Sequence, residues 1–139
     1  VLASNARWGH LQPRGGTPPL TVFDVFFKAG GTQTVRGYKQ DELSAYDAFG
    51  IPLGGTRLVV FNEEIRFPIF RIVKGVLFAD AGNTFAERAG FSISDLAVGV
   101  GFGLRITTPL APVRIDVGYP VPGSGLTSPR WHFSIGQMF

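Results

Sequence analysis

The residues able to do chemistry are few and mostly isolated. His10 and His132 each stand without a Cys or second His at ligand spacing, so neither marks a metal site. No Ser, His and Asp arrangement suggests a nucleophile. "GVGFG" (99–103) is followed by neither a helix start nor a lysine, and reads as a strand with small residues on one face, not as a phosphate loop. The absence of cysteine from all 139 residues excludes disulfides and thiolate chemistry. What remains is charge. "TVRGY" (34–38) wedges Arg36 between a β-branched residue and a glycine, in a long polar stretch, and carboxylates stand in "NEEIRF" (Glu63, Glu64) and "FADAGN" (Asp80). By themselves these have ordinary readings. Arg36 is then a solvated loop arginine, and Asp80 ends a strand at Asp-Ala-Gly-Asn, which is good turn chemistry.

The elements that must position these groups are strands. Hydrophobic residues make up 45% of the chain and charged ones 17%, with 19 Gly and 13 Phe. Soluble domains carry about 25% charged residues, so the shortfall implies that much of the surface does not face water. No run reaches the roughly 18 to 20 apolar residues of a membrane-spanning helix, and no signal peptide opens the chain. A membrane, if crossed, is crossed by strands. The formal charge of +3 is spread and not clustered, which argues against nucleic acid as a partner.

Period-2 alternation is the clearest pattern. In "LAVGVGFGLRI", Val98, Val100, Phe102, Leu104 and Ile106 alternate with Ala97, Gly99, Gly101, Gly103 and Arg105. "VRIDVGY" sets Ile115, Val117 and Tyr119 opposite Arg114, Asp116 and Gly118. "RWHFSIGQMF" sets Trp131, Phe133, Ile135 and Phe139 opposite Arg130, His132, Ser134 and Gly136. Two less regular strands, 57–67 and 71–82, are expected to flank a tight turn at Pro68-Ile69-Phe70, and an opening strand at about 1–10 makes six. No amphipathic helix of useful length is found.

Connections alternate in length. Those near Pro68 and at "TPLAP" (108–112) are short, whereas 12–55, about 83–94 and 120–129 are longer. Tight turns at one end, long loops at the other and strands of about ten residues describe an outer-membrane barrel. A soluble β-sandwich also alternates, but dresses its second face in Lys, Glu and Thr. In this chain the second face is glycine and alanine with isolated charges, a poor solvent face and a fitting lumen. Trp8 and Trp131 suit an aromatic girdle or a buried core equally.

Five motifs in order narrow the reading. "AGGTQTVRGY" (29–38), "GG" with "NEEIRFP" (54–68), "LFADAGNTF" (77–85), "GVGFGLRITTPLAPVRIDVGYP" (99–120) and the terminal "HFSIGQMF" resemble the C-terminal half of the barrel in the outer-membrane assembly and translocation superfamily typified by BamA and TamA, the bacterial surface antigen family. The match covers nearly the whole chain. It implies an all-β fold: the last six strands of a sixteen-stranded antiparallel transmembrane β-barrel, with a long loop at about 12–53 folded into the lumen.

The same resemblance assigns roles. The loop's arginine, Arg36, reaches down to luminal carboxylates, Asp80 and Glu64. Val35 and Tyr38 belong to the same motif, Gly37 lets the loop tip bend to the wall, Tyr38 packs against the lumen, and Gly82 leaves room for the tip. Glu63 takes the role of Glu64 if the register shifts by one, and Arg66 is a local alternative partner for Glu64. Trp131, Phe133, Ile135 and Phe139 resemble the terminal strand signal by which such barrels are recognised. The implied function is non-enzymatic insertion of membrane proteins by strand exchange at a barrel seam, with no cofactor. The alternatives are a polypeptide-secreting pore of the two-partner kind and a passive surface-antigen barrel. Implied partners are the outer-membrane bilayer, unfolded outer-membrane proteins, accessory lipoproteins, and the rest of the barrel with its POTRA domains. The implied location is a bacterial outer membrane, or an organelle outer membrane of bacterial origin, with the C-terminus on the periplasmic side. The chain departs from the family pattern in lacking the POTRA domains and the first strands. Six strands leave two open edges, so 1–139 is expected to be a fragment of a longer barrel.

Overall fold

The computed structural model describes residues 1–12, 25–86, 90–121 and 128–136; Phe139 of the terminal strand signal lies outside them. Among the described residues six strands form one antiparallel sheet in sequence order: β1 (Leu2–His10), β2 (Arg57–Phe70), β3 (Val73–Phe85), β4 (Ala97–Ile106), β5 (Val113–Pro120) and β6 (Arg130–Ile135). Each strand pairs with the next, the up-and-down order of a barrel wall. A single 3-10 turn (Ile93–Asp95) interrupts the β3–β4 connection, and no α-helix occurs among the described residues.

Two boundaries differ from the sequence expectation. The tight turn falls at Arg71-Ile72, because β2 continues through Pro68 to Phe70. The register shift between Pro68 and Phe70 accommodates a residue with no N–H to give to the ladder. β3 likewise runs on past Asp80 to Phe85. Ala81, Gly82 and Asn83 stay paired with Phe61, Val60 and Val59, so pairing with β2 overrides the local turn tendency of Asp-Ala-Gly-Asn. Asp80 therefore sits inside a strand.

The two faces of the sheet divide cleanly by parity. One carries exposed apolar side chains: Trp8, Phe61, Ile65, Phe67, Leu77, Val100, Phe102, Leu104, Trp131, Phe133 and Ile135. The other is buried and polar, holding Asn62, Glu64, Asp80, Arg105, Arg114, Asp116 and His132. An isolated soluble domain would bury the first set and expose the second. Trp8 and Trp131, each 75% exposed, lie on the apolar face and not in a core. What covers the polar face is the segment between β1 and β2. Its residues Ala29, Val35, Arg36 and Tyr38 are all buried, and an isolated bridge between Phe27 and Gly55 closes the segment on itself just before β2.

Candidate functional site

The loop reaches the wall because wall side chains take its backbone carbonyls. Arg7 Nη2 of β1 donates to the Gln33 carbonyl. Asn62 Nδ2 of β2 donates to the Thr34 carbonyl at 2.6 Å. Beyond these anchors the chain lies almost directly on β4 and β5. A Cβ at Gly99 would overlap the Arg36 carbonyl, and one at Gly118 would overlap the Gly37 amide nitrogen. The small residues of the inner face are thus the bed on which the loop rests. Gly37 turns the chain with φ 100°, in the left-handed region that favours glycine. A Cβ at Gly82 would meet Val35 Cγ2 at 3.0 Å, so this wall glycine makes room for the loop at Val35.

Arg36 enters the polar face at 1% exposure. Its Nε donates to Asp80 Oδ2 at 2.7 Å and Nη2 to Asp80 Oδ1 at 2.8 Å, a two-pronged fork on one carboxylate. Nη1 reaches Glu64 Oε1 at 2.7 Å and Asp116 Oδ2 at 3.2 Å. The Arg36 backbone N–H adds a third bond to Asp80, at 3.0 Å to Oδ2. The guanidinium carbon lies 3.6 Å from the centroid of the Phe78 ring, so a cation–π contact accompanies the ion pairs. Burial works against the charge. The hydrogen bonds and charge of Asp80, with the charges of Asp116 and Glu64, outweigh it and hold the Arg36 pKa above its ordinary range. The arginine stays cationic.

Glu64, fully buried, resolves the choice between neighbours: it is on the inner face, and Glu63 is on the outer face. The local pair with Arg66 also forms. Arg66 Nε donates to Glu64 Oε2 at 2.8 Å while Arg36 occupies Oε1, so one carboxylate serves both. Tyr38 is buried, and its hydroxyl donates to the Val98 carbonyl at 3.3 Å. Of the terminal strand signal, Trp131, Phe133 and Ile135 lie together on the outer face.

Four participants were not singled out from sequence. Asp116 bonds Arg36 and both Nη atoms of Arg105. Arg105 and Arg114 also reach Glu64 Oε1, at 3.0 and 3.2 Å. His132 Nε2 accepts the Gly37 N–H at 3.0 Å, which makes an apparently isolated histidine a backbone clamp on the loop tip. A signal for the arginines was present: Arg105 and Arg114 are register partners, and like charges directly opposite require an intervening carboxylate. For His132 only the alternation was visible. The arrangement contains no nucleophile or activated acid. It fastens a loop to a wall.

Comparison with known proteins agrees with this architecture. The Omp85 superfamily domain matches residues 1–139. The chain is 30% identical over 118 residues to "Outer envelope protein 80, chloroplastic" of Arabidopsis thaliana, covering 79% of this chain and 14% of that protein. It is 25% identical over 143 residues to the protein of the same name from Oryza sativa subsp. japonica, covering 97% of this chain and 19% of that protein. The chain therefore spans less than a fifth of the length of these relatives. With the family domain matched from the first residue to the last, the chain belongs to the Omp85 superfamily.

Proposed function

We propose that this sheet is part of the barrel wall of an outer-membrane factor that inserts other proteins into the membrane without enzymatic catalysis. The carrying observation is Arg36, a loop residue held by three wall carboxylates from β2, β3 and β5. A lock of that kind keeps the loop down and couples three strands into one rigid panel. A rigid panel leaves shape change to the margin of the sheet. An edge with few hydrogen bonds opens at lower cost, and an incoming strand that replaces them exchanges like for like. The apolar outer face supplies the lipid contact such a wall needs. Superfamily membership supports an outer-membrane location, and the chloroplast outer-envelope relatives support an organelle membrane of bacterial origin.

The test is Arg36→Ala in the full-length protein, reconstituted in liposomes with an unfolded barrel substrate. The expected result is a barrel that still shows heat-modifiable gel mobility but inserts substrate more slowly. Wild-type insertion rates from the variant would reject the lock as a functional part.

A further inference from the structure

The inner face is over-supplied with positive charge toward the short-turn end. Lys74 of β3, Arg105 of β4 and Arg114 of β5 are consecutive register partners, three cations in one row across three strands. Like charges directly opposite one another destabilise a sheet unless something anionic lies between them. Glu64 and Asp116 supply part of that need, but Glu64 is already shared by Arg36, Arg66, Arg105 and Arg114. Asp80 is forked by Arg36. In this region Arg36, Arg66, Lys74, Arg105 and Arg114 thus stand against Glu64, Asp80 and Asp116, an excess of two positive charges.

Beside the row lies a cavity of about 80 Å³, lined by Arg66, Lys74, Arg105, Pro112, Arg114 and Gly136. Four of the six lining residues are cations and none is acidic. Two buried donors in the same row have no hydrogen-bond partner: Arg114 Nε, on a residue 4% exposed, and Ser134 Oγ, on the register partner of Arg114. A buried donor left unpaired costs about 1 to 3 kcal/mol. Converging cations, unpaired donors and a cavity of two to three water volumes, at about 30 Å³ each, are the features of an oxyanion site.

We propose that this row binds a carboxylate carried by a polypeptide, an acidic segment entering the lumen from the short-turn end. The cavity opens on the inner face and not among the lipid-facing side chains, which disfavours a lipid phosphate. Arg105 already spends both Nη atoms on Asp116 and Glu64, so the planar carboxylate is matched to the guanidinium of Arg114, whose Nε is unpaired, with the ammonium of Lys74 beside it. The inference deepens the insertion reading and rests on it, since it names what part of a client polypeptide the wall would hold.

The experiment uses the full-length protein in detergent micelles and a fluorescent peptide rich in Asp and Glu, with a Gln/Asn version of the same peptide as comparison. The expected result is saturable binding of the acidic peptide only, weakened by salt and competed by inorganic phosphate. Lys74→Gln should weaken it roughly tenfold, the scale of one hydrogen bond to a charged group. Lys74 is exposed, so this variant leaves the ion pairs of Arg36 intact and retains heat-modifiable mobility. Glu63→Gln, on the outer face, should change nothing. Equal binding of the two peptides, unchanged affinity in Lys74→Gln, or failure of the acidic peptide to bind a protein that does bind phosphate would each overturn the proposal. Substrate insertion by the wild-type protein is measured in parallel, so that failure of the insertion reading is seen separately from failure of peptide binding.

Discussion

Glu63 and Glu64 are chemically the same and adjacent in β2, yet they occupy opposite worlds. Glu64 is fully buried and accepts hydrogen bonds from Arg36, Arg66, Arg105 and Arg114. Glu63 is exposed between Phe61 and Ile65, with a 2.7 Å hydrogen bond from Ser4 Oγ. A strand turns successive side chains to opposite faces, so one residue of register decides which carboxylate becomes part of the lock. The difference teaches that the polar face is organised as one unit around shared carboxylates, whereas the outer face is a set of nearly independent side chains. Substitutions on the first should couple strongly, and those on the second should not.

The sharpest way to break that distinction is Asp80→Ala. Asp80 accepts from the Arg36 backbone, from two nitrogens of its side chain and from Asn62 Nδ2. Removing it leaves the buried guanidinium with only its Nη1 contacts to Glu64 and Asp116, and losing one member of a buried pair costs about 3 to 5 kcal/mol. We expect the unfolding midpoint of the full-length barrel to fall accordingly. Limited proteolysis should also cut near residues 29–38, which the wild-type protein shields. A variant as stable and as protease-resistant as wild type would mean that the loop is held by packing alone.

Gly99→Ala tests the same unit through shape. Its Cβ would overlap the Arg36 carbonyl, a backbone atom that moves only if the loop moves. Overpacking of this kind costs about 1 to 3 kcal/mol, and the readout is again cleavage near the loop tip. On the outer face, an added methyl at Ala79 should leave cleavage unchanged.

Much of this was legible before the structure, and the limits were physical. Alternation in β4, β5 and β6 placed every side chain on its correct face, because a sheet with one apolar face has no other way to lie. The same alternation marked Arg105, Arg114, Asp116 and His132 as inner residues. It did not reveal their partners, since those depend on which strands become neighbours and on where a distant loop returns. Arg36 with Asp80 and Glu64 was reached through a family resemblance, and spacing alone left Arg36 a solvated loop residue. The ends of β2 and β3 were misplaced for a related reason. Pro68 and Asp-Ala-Gly-Asn are local turn signals, and each yielded to thirteen positions of cross-strand pairing.

The smallest expected effect lies at Glu63, and it is the most discriminating. A carboxylate on the lipid-facing side of a barrel is mildly unfavourable, less so than Lys or Arg, and the hydrogen bond from Ser4 offsets part of that. Glu63→Leu should therefore shift the unfolding free energy by no more than about 0.5 kcal/mol. The double change Ser4→Ala with Glu63→Leu should be neutral or stabilising, because replacing both partners leaves no polar group unsatisfied. Glu64→Leu, one residue along, removes the acceptor shared by four arginines and should cost several kcal/mol, at least about 3 to 5. If Glu63→Leu proved as damaging as Glu64→Leu, the outer carboxylate would have to be engaged by a polar group from outside the sheet. The outer face would then be a second organised surface and not a set of independent side chains.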